Sequence, residues 1–136
     1  MAFKSLVMAE LKEEAGINVR ANPFVYKAMG AGAASHAVVF ENDGLTGKYN
    51  RANRSLHHFI ENAAPVFLCL VLVGHLFPWP SFVCVAAFCA GRVLHQVGYA
   101  GGYGGHGAGF GIATLASTTL EGLVLLVAIA GTGWLA

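Results

Sequence analysis

The sequence predicts an all-α integral membrane protein, a helical bundle with three transmembrane helices. Composition is the first reason: 56% of the 136 residues are hydrophobic and 11% are charged, against about 45–50% and about 25% in soluble domains. Charge placement is the second. Thirteen of the fifteen charged side chains lie between Lys4 and Glu61, and the 75 residues from Asn62 onward carry only Arg92 and Glu121. Two charges cannot give that segment a polar shell, whereas hydrocarbon requires only that the backbone bond to itself, as a helix does. Length is the third: crossing ~30 Å of hydrocarbon at 1.5 Å per residue takes about 20 residues, and three apolar stretches approach it. Lys and Arg together number 8 against 7 for Asp and Glu, so no basic stripe exists and nucleic acid is excluded as a partner.

The chain divides into an interfacial N-terminal segment, residues 1–48, and a transmembrane bundle, residues 49–136. Ser5 to Ala15 places apolar residues at 6, 7, 8 and 11 and charges at 10, 12, 13 and 14, a short amphipathic helix that Gly16 ends. The opening residues are too short and interrupted for a signal peptide. Asn22-Pro23 and Glu41-Asn42-Asp43-Gly44 are turn signals. Between them, Phe24 to Phe40 is glycine-broken and carries Lys27 and His36, so a loop at the membrane surface is expected. The first span starts near Tyr49–Arg51 and runs to Phe77. A tight turn at Pro78-Trp79-Pro80 follows, since neither proline continues a helix, and Trp79 rests among headgroups. The second span is Ser81 to about Tyr99. Seven glycines in the twelve residues Gly98 to Gly109 predict a flexible loop, and Phe110 to Trp134 is the third span.

Lys48, Arg51 and Arg54 flank the first span while the Pro-Trp-Pro turn carries no basic residue, so the N-terminal segment faces the cytosol or an equivalent compartment. Two crossings then gather Arg54, Glu61, Arg92, His95, Tyr99 and His106 at one membrane surface. Cys69, Cys84 and Cys89 are odd in number, lie in apolar runs and show no CxxC spacing, which fits small buried hydrophobes rather than a disulfide framework.

Two constellations carry chemistry. Arg54, His58 and Glu61 fall at i, i+4 and i+7 on one helix face, with Asn62 beside them. A cation, a titratable ring and a carboxylate so arranged can hold a zwitterionic ligand. They can equally be a helix entering the interface with its charges snorkelling to water. Arg92, His95 and Tyr99 form the second set, at i, i+3 and i+7. An arginine in an apolar segment costs about 2.5–3.5 kcal/mol on insertion scales, so it needs a polar partner; Glu61 is the first candidate and Glu121 the second. Tyr99 has the phenol that a thiol ligand needs as a donor, and the alternative is an ion pair locking helices together. Glu121 fits pairing, or a neutral state facing a neighbouring helix, better than catalysis. The run Gly102-Tyr103-Gly104-Gly105-His106-Gly107 satisfies GxGxxG but joins two membrane helices, with no βαβ unit to give it meaning. A zinc site from His57, His58, His95 and His106 lacks any recognised spacing.

At these residues the sequence resembles the MAPEG family, the membrane-associated proteins of eicosanoid and glutathione metabolism, with its microsomal glutathione transferase 3 branch the most alike. The family reads Phe-Asn, three residues, Arg-Ala-His-Gln-Asn-Thr-Leu-Glu-Asn, then Pro and Phe. This chain has Tyr49-Asn50, Arg54 through His57-His58 to Glu61-Asn62, and Pro65-Val66-Phe67. The family's Gly-Arg-x-x-Tyr-x-x-x-Tyr corresponds to Gly91-Arg92 through His95 to Tyr99. The resemblance implies a homotrimer of helical bundles with glutathione as co-substrate between subunits near the cytosolic face. It maps the family's ligand-binding Arg and Glu to Arg54 and Glu61 and its helix-three Arg and Tyr to Arg92 and Tyr99. The full expected set is Arg54, His58, Glu61, Asn62, Arg92 and His95 in binding, with Tyr99 and His106 in catalysis. Four positions depart from the pattern. His58 stands for an asparagine and His95 for the first tyrosine. The loop that should carry a thiolate-stabilising arginine offers His106 instead, and a histidine with a reference pKa of ~6.5 is mostly uncharged at neutral pH. The family's four-helix bundle lacks most of its first helix here.

Three functions follow as expectations. One is glutathione transferase or peroxidase chemistry on lipophilic electrophiles or lipid hydroperoxides entering from the lipid bilayer. Another is a non-catalytic structural subunit of a larger membrane complex, photosynthetic or respiratory, suggested by the missing arginine, the missing helix and the small residues Gly111, Ala113, Ala116 and Ser117. The third is a binding protein for lipid or pigment. The endoplasmic reticulum or a chloroplast or mitochondrial membrane is the expected location.

Overall fold

A computed structural model describes residues 24–29 and 37–133, with the side chains of 27–29 and 37–39 left aside. The expected amphipathic helix at 5–15 lies outside the described residues. Three long helices make up the bundle: α1 (Gly44–Val73), α2 (Pro78–Gly101) and α3 (Gly107–Gly131). All three are long and apolar enough to cross a membrane. Their outer faces are apolar, as a hydrocarbon solvent requires, with Phe67 67%, Trp79 73% and Leu115 72% exposed, far more apolar surface than a soluble monomer shows.

Helix α1, with 30 residues, is ~45 Å long and outruns the bilayer. Counting about 20 residues back from Val73 reaches Arg54, which therefore marks the hydrocarbon boundary. The same count from Pro78 along α2 ends at Val97, and from Gly131 back along α3 at Ile112. Tyr99 and His106 thus lie just above the boundary; Arg92 and His95 lie below it.

Two turns differ from expectation. Pro78 and Pro80 do not make the turn but open α2, because the first turn of a helix has no use for their missing N–H groups. The chain reverses just before them, where Phe77 N–H donates to Val73 O at 2.8 Å. The glycine run is largely helical as well. Helix α2 continues to Gly101, and only 102–106 link it to α3. A Cβ on Gly98 would sit 2.1 Å from Gly105 O, so that glycine lets the link fold back over the helix end.

Glycine also sets the α2–α3 distance. A Cβ on Gly91 would meet Ala113 N at 2.7 Å and Gly109 O at 2.8 Å, so the two backbones touch. Below this crossing the core closes with Val66, Cys69 and Val73 of α1, Cys84 and Phe88 of α2, and Ala113, Ala116 and Leu120 of α3. Ala113 and Ala116, expected on a surface for other subunits, are therefore spent on the chain's own packing. Cys69 and Cys84 are buried thiols, as expected, while Cys89 is exposed.

The segment expected as a surface loop holds a two-stranded antiparallel ribbon, β1 (Tyr26–Met29) and β2 (Ala37–Phe40), in register Tyr26↔Phe40 to Met29↔Ala37. The three-helix bundle stands, with this ribbon added at its polar end. Asn50 fastens it. Its side chain is fully buried; Oδ1 accepts from Val25 N–H at 2.9 Å, and Nδ2 donates to Val25 O at 2.6 Å and Glu41 O at 2.9 Å. Phe24 packs on Phe40 and His57, with ring centroids 5.2 and 5.3 Å apart. Asn50→Ala removes all three bonds and leaves backbone groups unpaired, at about 1–3 kcal/mol for such a loss. Protease cutting within residues 24–41 should accelerate at least tenfold while the transmembrane helices stay folded; an unchanged cutting rate would mean that Asn50 does not hold the ribbon.

Candidate functional site

A cleft of about 190 Å³ opens where the three helices meet their polar ends. Helix α1 supplies Arg54, Ser55 and His58, spaced so that one face carries the first and last. Helix α2 supplies His95 and Tyr99, one turn apart. His106 precedes α3 and Phe110 is on its first turn. The rings form a ladder: His58 stacks on His95 at 5.6 Å, His95 on Tyr99 at 5.5 Å, and Phe110 lies 6.0 Å from His58. His106 meets Tyr99 edge-on at 5.1 Å and His95 at 5.5 Å. His58 and His95 stack and His106 meets His95 edge-on, and among the described residues no group of three or more His, Cys, Asp or Glu is placed to hold a metal ion.

Two hydrogen bonds orient the ladder. Arg92 Nη1 lies 2.8 Å from His58 Nδ1. A guanidinium only donates, so Nδ1 accepts, and the His58 ring is uncharged with its proton on Nε2. Ser55 Oγ lies 3.1 Å from His95 Nδ1. Arg92 is buried, at 6% exposure, and its Nη2 donates to Ser55 O at 3.4 Å. The expected carboxylate partner is thus replaced. The Glu61 side chain is exposed on α1, and Glu121 is likewise exposed at mid-span on α3. The requirement that polar groups meet Arg92 is satisfied by a neutral imidazole and a backbone carbonyl.

Of the residues singled out in the sequence, Arg54, His58, His95, Tyr99 and His106 line one cleft. Glu61, Asn62 and Arg92 do not. Asn62 is occupied in donating to His58 O at 2.7 Å. Ser55 and Phe110 escaped the sequence reading; Ser55 directly follows Arg54 and precedes His58 by one turn, a position from which it could have been foreseen. His106 Nδ1 is buried and has no hydrogen-bond partner among the described residues. Beside the cleft, a hollow of about 350 Å³ shares Arg54 and Tyr99 with it and adds the rings of Phe24, Tyr26, Phe40 and Tyr103, a surface suited to flat apolar molecules. Arg51 braces this end, donating to Asn42 O at 2.7 Å and to Ala100 O at 3.3 Å, 5.8 Å from the Tyr103 ring centroid.

The MAPEG family model matches residues 15–129, a stretch that contains every residue of the cleft. The chain belongs to the MAPEG family. No curated protein and no solved structure matches it. As a MAPEG membrane protein, its Tyr49-Asn50 pair gains a physical meaning: Tyr49 is fully buried and Asn50 clamps the ribbon. The motif positions separate into those that hold the fold (Asn50, Asn62), one that sets a ring's tautomer (Arg92), and those that face the cleft.

Proposed function

We propose that this MAPEG chain is a glutathione transferase or peroxidase acting on lipophilic electrophiles or lipid hydroperoxides. The observation that carries this reading is the convergence of Arg54, His58, His95, Tyr99 and His106 on one cleft at the hydrocarbon boundary, next to an aromatic hollow. Arg54 is exposed at the rim and would hold a carboxylate of the tripeptide. His58 offers Nε2–H and Tyr99 its phenol to the sulfur. The thiol proton passes to the His106 ring, which lines the cleft. Sulfur then attacks the electrophilic carbon while the leaving group departs with its bonding pair. Substrate comes from the bilayer into the aromatic hollow. Glu61 and Glu121 are both exposed at hydrocarbon depth, which is costly without company and supports a homotrimer in which Glu61 serves an adjoining subunit's tripeptide ammonium.

Glutathione conjugation of a halonitroarene by the detergent-solubilised protein tests this. Turnover is expected, reduced about 100-fold in Tyr99→Phe, the size of losing one donor to a developing anion. No turnover, together with no protection by glutathione against unfolding, would defeat the reading. One observation favours a silent structural subunit instead: among the described residues, Arg54 is the only lysine or arginine lining the cleft. Native electrophoresis separates the two, a free trimer supporting the enzyme and migration within a large complex supporting the subunit.

A further inference from the structure

The outward face of α3 carries a carboxylate that the described residues do not pair. Gly111, Thr114, Thr118, Glu121, Gly122 and Leu125 recur at helical spacing on one side, and all six are exposed. The opposite side, with Ala113, Ala116 and Leu120, is buried in the core. Glu121 stands ten residues before the Gly131 end of α3, ~15 Å, which is the middle of a ~30 Å hydrocarbon layer. No hydrogen bond or ion pair reaches it from the described residues. The neighbouring hydroxyls are satisfied within the helix: Ser117 donates to Thr114 O at 3.0 Å and Thr119 to Leu115 O at 2.8 Å.

An ionisable side chain at this depth is expensive against lipid and is met by a polar or charged group of another helix. A second copy of this chain has no free cation to offer there. Of the eight lysines and arginines, only Arg92 lies beyond Arg54. Arg92 is 6% exposed, and its guanidinium is bonded to His58 and Ser55 of its own chain. His75 follows the end of α1, away from mid-bilayer. Lipid headgroups do not reach the hydrocarbon centre, so the counter-charge must arrive on a helix. The surface admits one. A Cβ on Gly111 or Gly122 would meet nothing within 4 Å, so neither glycine serves a contact inside the chain, and small residues let a second backbone approach closely.

We propose that this face docks a transmembrane helix of a different polypeptide, one that carries an arginine or lysine at mid-bilayer. The basic side chain pairs with Glu121, in surroundings where opposite charges attract more strongly than in water. The partner's backbone lies along Gly111, Thr114, Thr118 and Gly122. The histidine cleft takes no part, so the docking holds whether or not the transferase reading does.

The test uses the full chain in phosphatidylcholine vesicles. A donor fluorophore sits on Cys89, the exposed one among its cysteines, and an acceptor sits on a synthetic leucine–alanine transmembrane peptide with arginine, glutamine or leucine at its centre. Energy transfer from the arginine peptide is expected to saturate, with affinity at least tenfold above the leucine peptide, about 1.4 kcal/mol; the glutamine peptide should stay within about threefold of leucine. Glu121→Gln should abolish the arginine preference. Thr118→Trp, which crowds the face and keeps the carboxylate, should weaken arginine-peptide binding at least fivefold. Both positions face outward, so both variants should keep wild-type helicity. An arginine preference that survives Glu121→Gln would put the cation on Glu61 and overturn the assignment. Equal binding of the arginine and glutamine peptides would overturn it in favour of a protonated, hydrogen-bonded Glu121. Loss of energy transfer between donor- and acceptor-labelled copies of the chain in Glu121→Gln would overturn it in favour of a second copy.

Discussion

Replacing Gly109 by valine is expected to be the most damaging single substitution in the bundle. Even a bare Cβ there would lie 2.2 Å from His95 N, 2.6 Å from Gly91 O and 2.8 Å from His95 Cα. All three are backbone atoms, so no side chain can swing aside, and α3 must move away from α2. Overpacking typically costs about 1–3 kcal/mol, and a clash with backbone belongs at the upper end. The functional loss should exceed the loss of stability. His95 is the middle ring of the ladder, and Phe110, adjacent to Gly109, is the rung from α3, so separating the helices opens the cleft. Thermal unfolding of the detergent-solubilised protein should show a clear drop, with glutathione protection gone. Gly111→Ala is the control. A Cβ there meets nothing within 4 Å, and the gain in helix propensity should leave stability equal or up to about 1 kcal/mol higher. Equal effects of the two substitutions would mean that the α2–α3 contact does not set the cleft.

The second large effect is a gain. His106→Arg puts a permanent cation where the cleft now offers a histidine against Tyr99. An opposite charge within ~4–6 Å typically moves a titrating group by about 1–3 units towards its charged form, so the thiolate fraction of bound glutathione near neutral pH should rise about tenfold or more. The ultraviolet absorbance of the thiolate reads this directly. The guanidinium stays charged at any accessible pH, so the gain should persist up to the pH where wild-type glutathione ionises unaided. A spectrum identical to wild type would remove His106 from the mechanism.

Much of the fold was legible because the solvent is oil. Hydrocarbon forces each apolar stretch to be helical, so counting charges located all three spans. The ends were harder, for opposite reasons. Proline and glycine usually break helices, yet Pro78 sits where its missing N–H is harmless, and Gly98 and Gly101 stay helical under the fold-back link. The ribbon was invisible because its strands have four residues each and lack clear alternation; Asn50, 25 positions from Val25, ties them down. In the site, motif spacing brought five residues to one cleft. It did not reveal Arg92's partners, since a search for opposite charges passes over a neutral imidazole and a carbonyl. Ser55 was missed because hydroxyls are common and its role depends on His95, forty positions away.

The most direct test is calorimetric titration of reduced glutathione into the detergent-solubilised protein and its Arg54→Ala variant. Arg54 is exposed and anchors nothing in the core, so the variant should fold normally. Saturable heat is expected from the wild-type protein, with affinity at least tenfold lower in the variant, about 1.4 kcal/mol. No saturable heat, or equal affinities in both proteins, would contradict the placement of the tripeptide in this cleft.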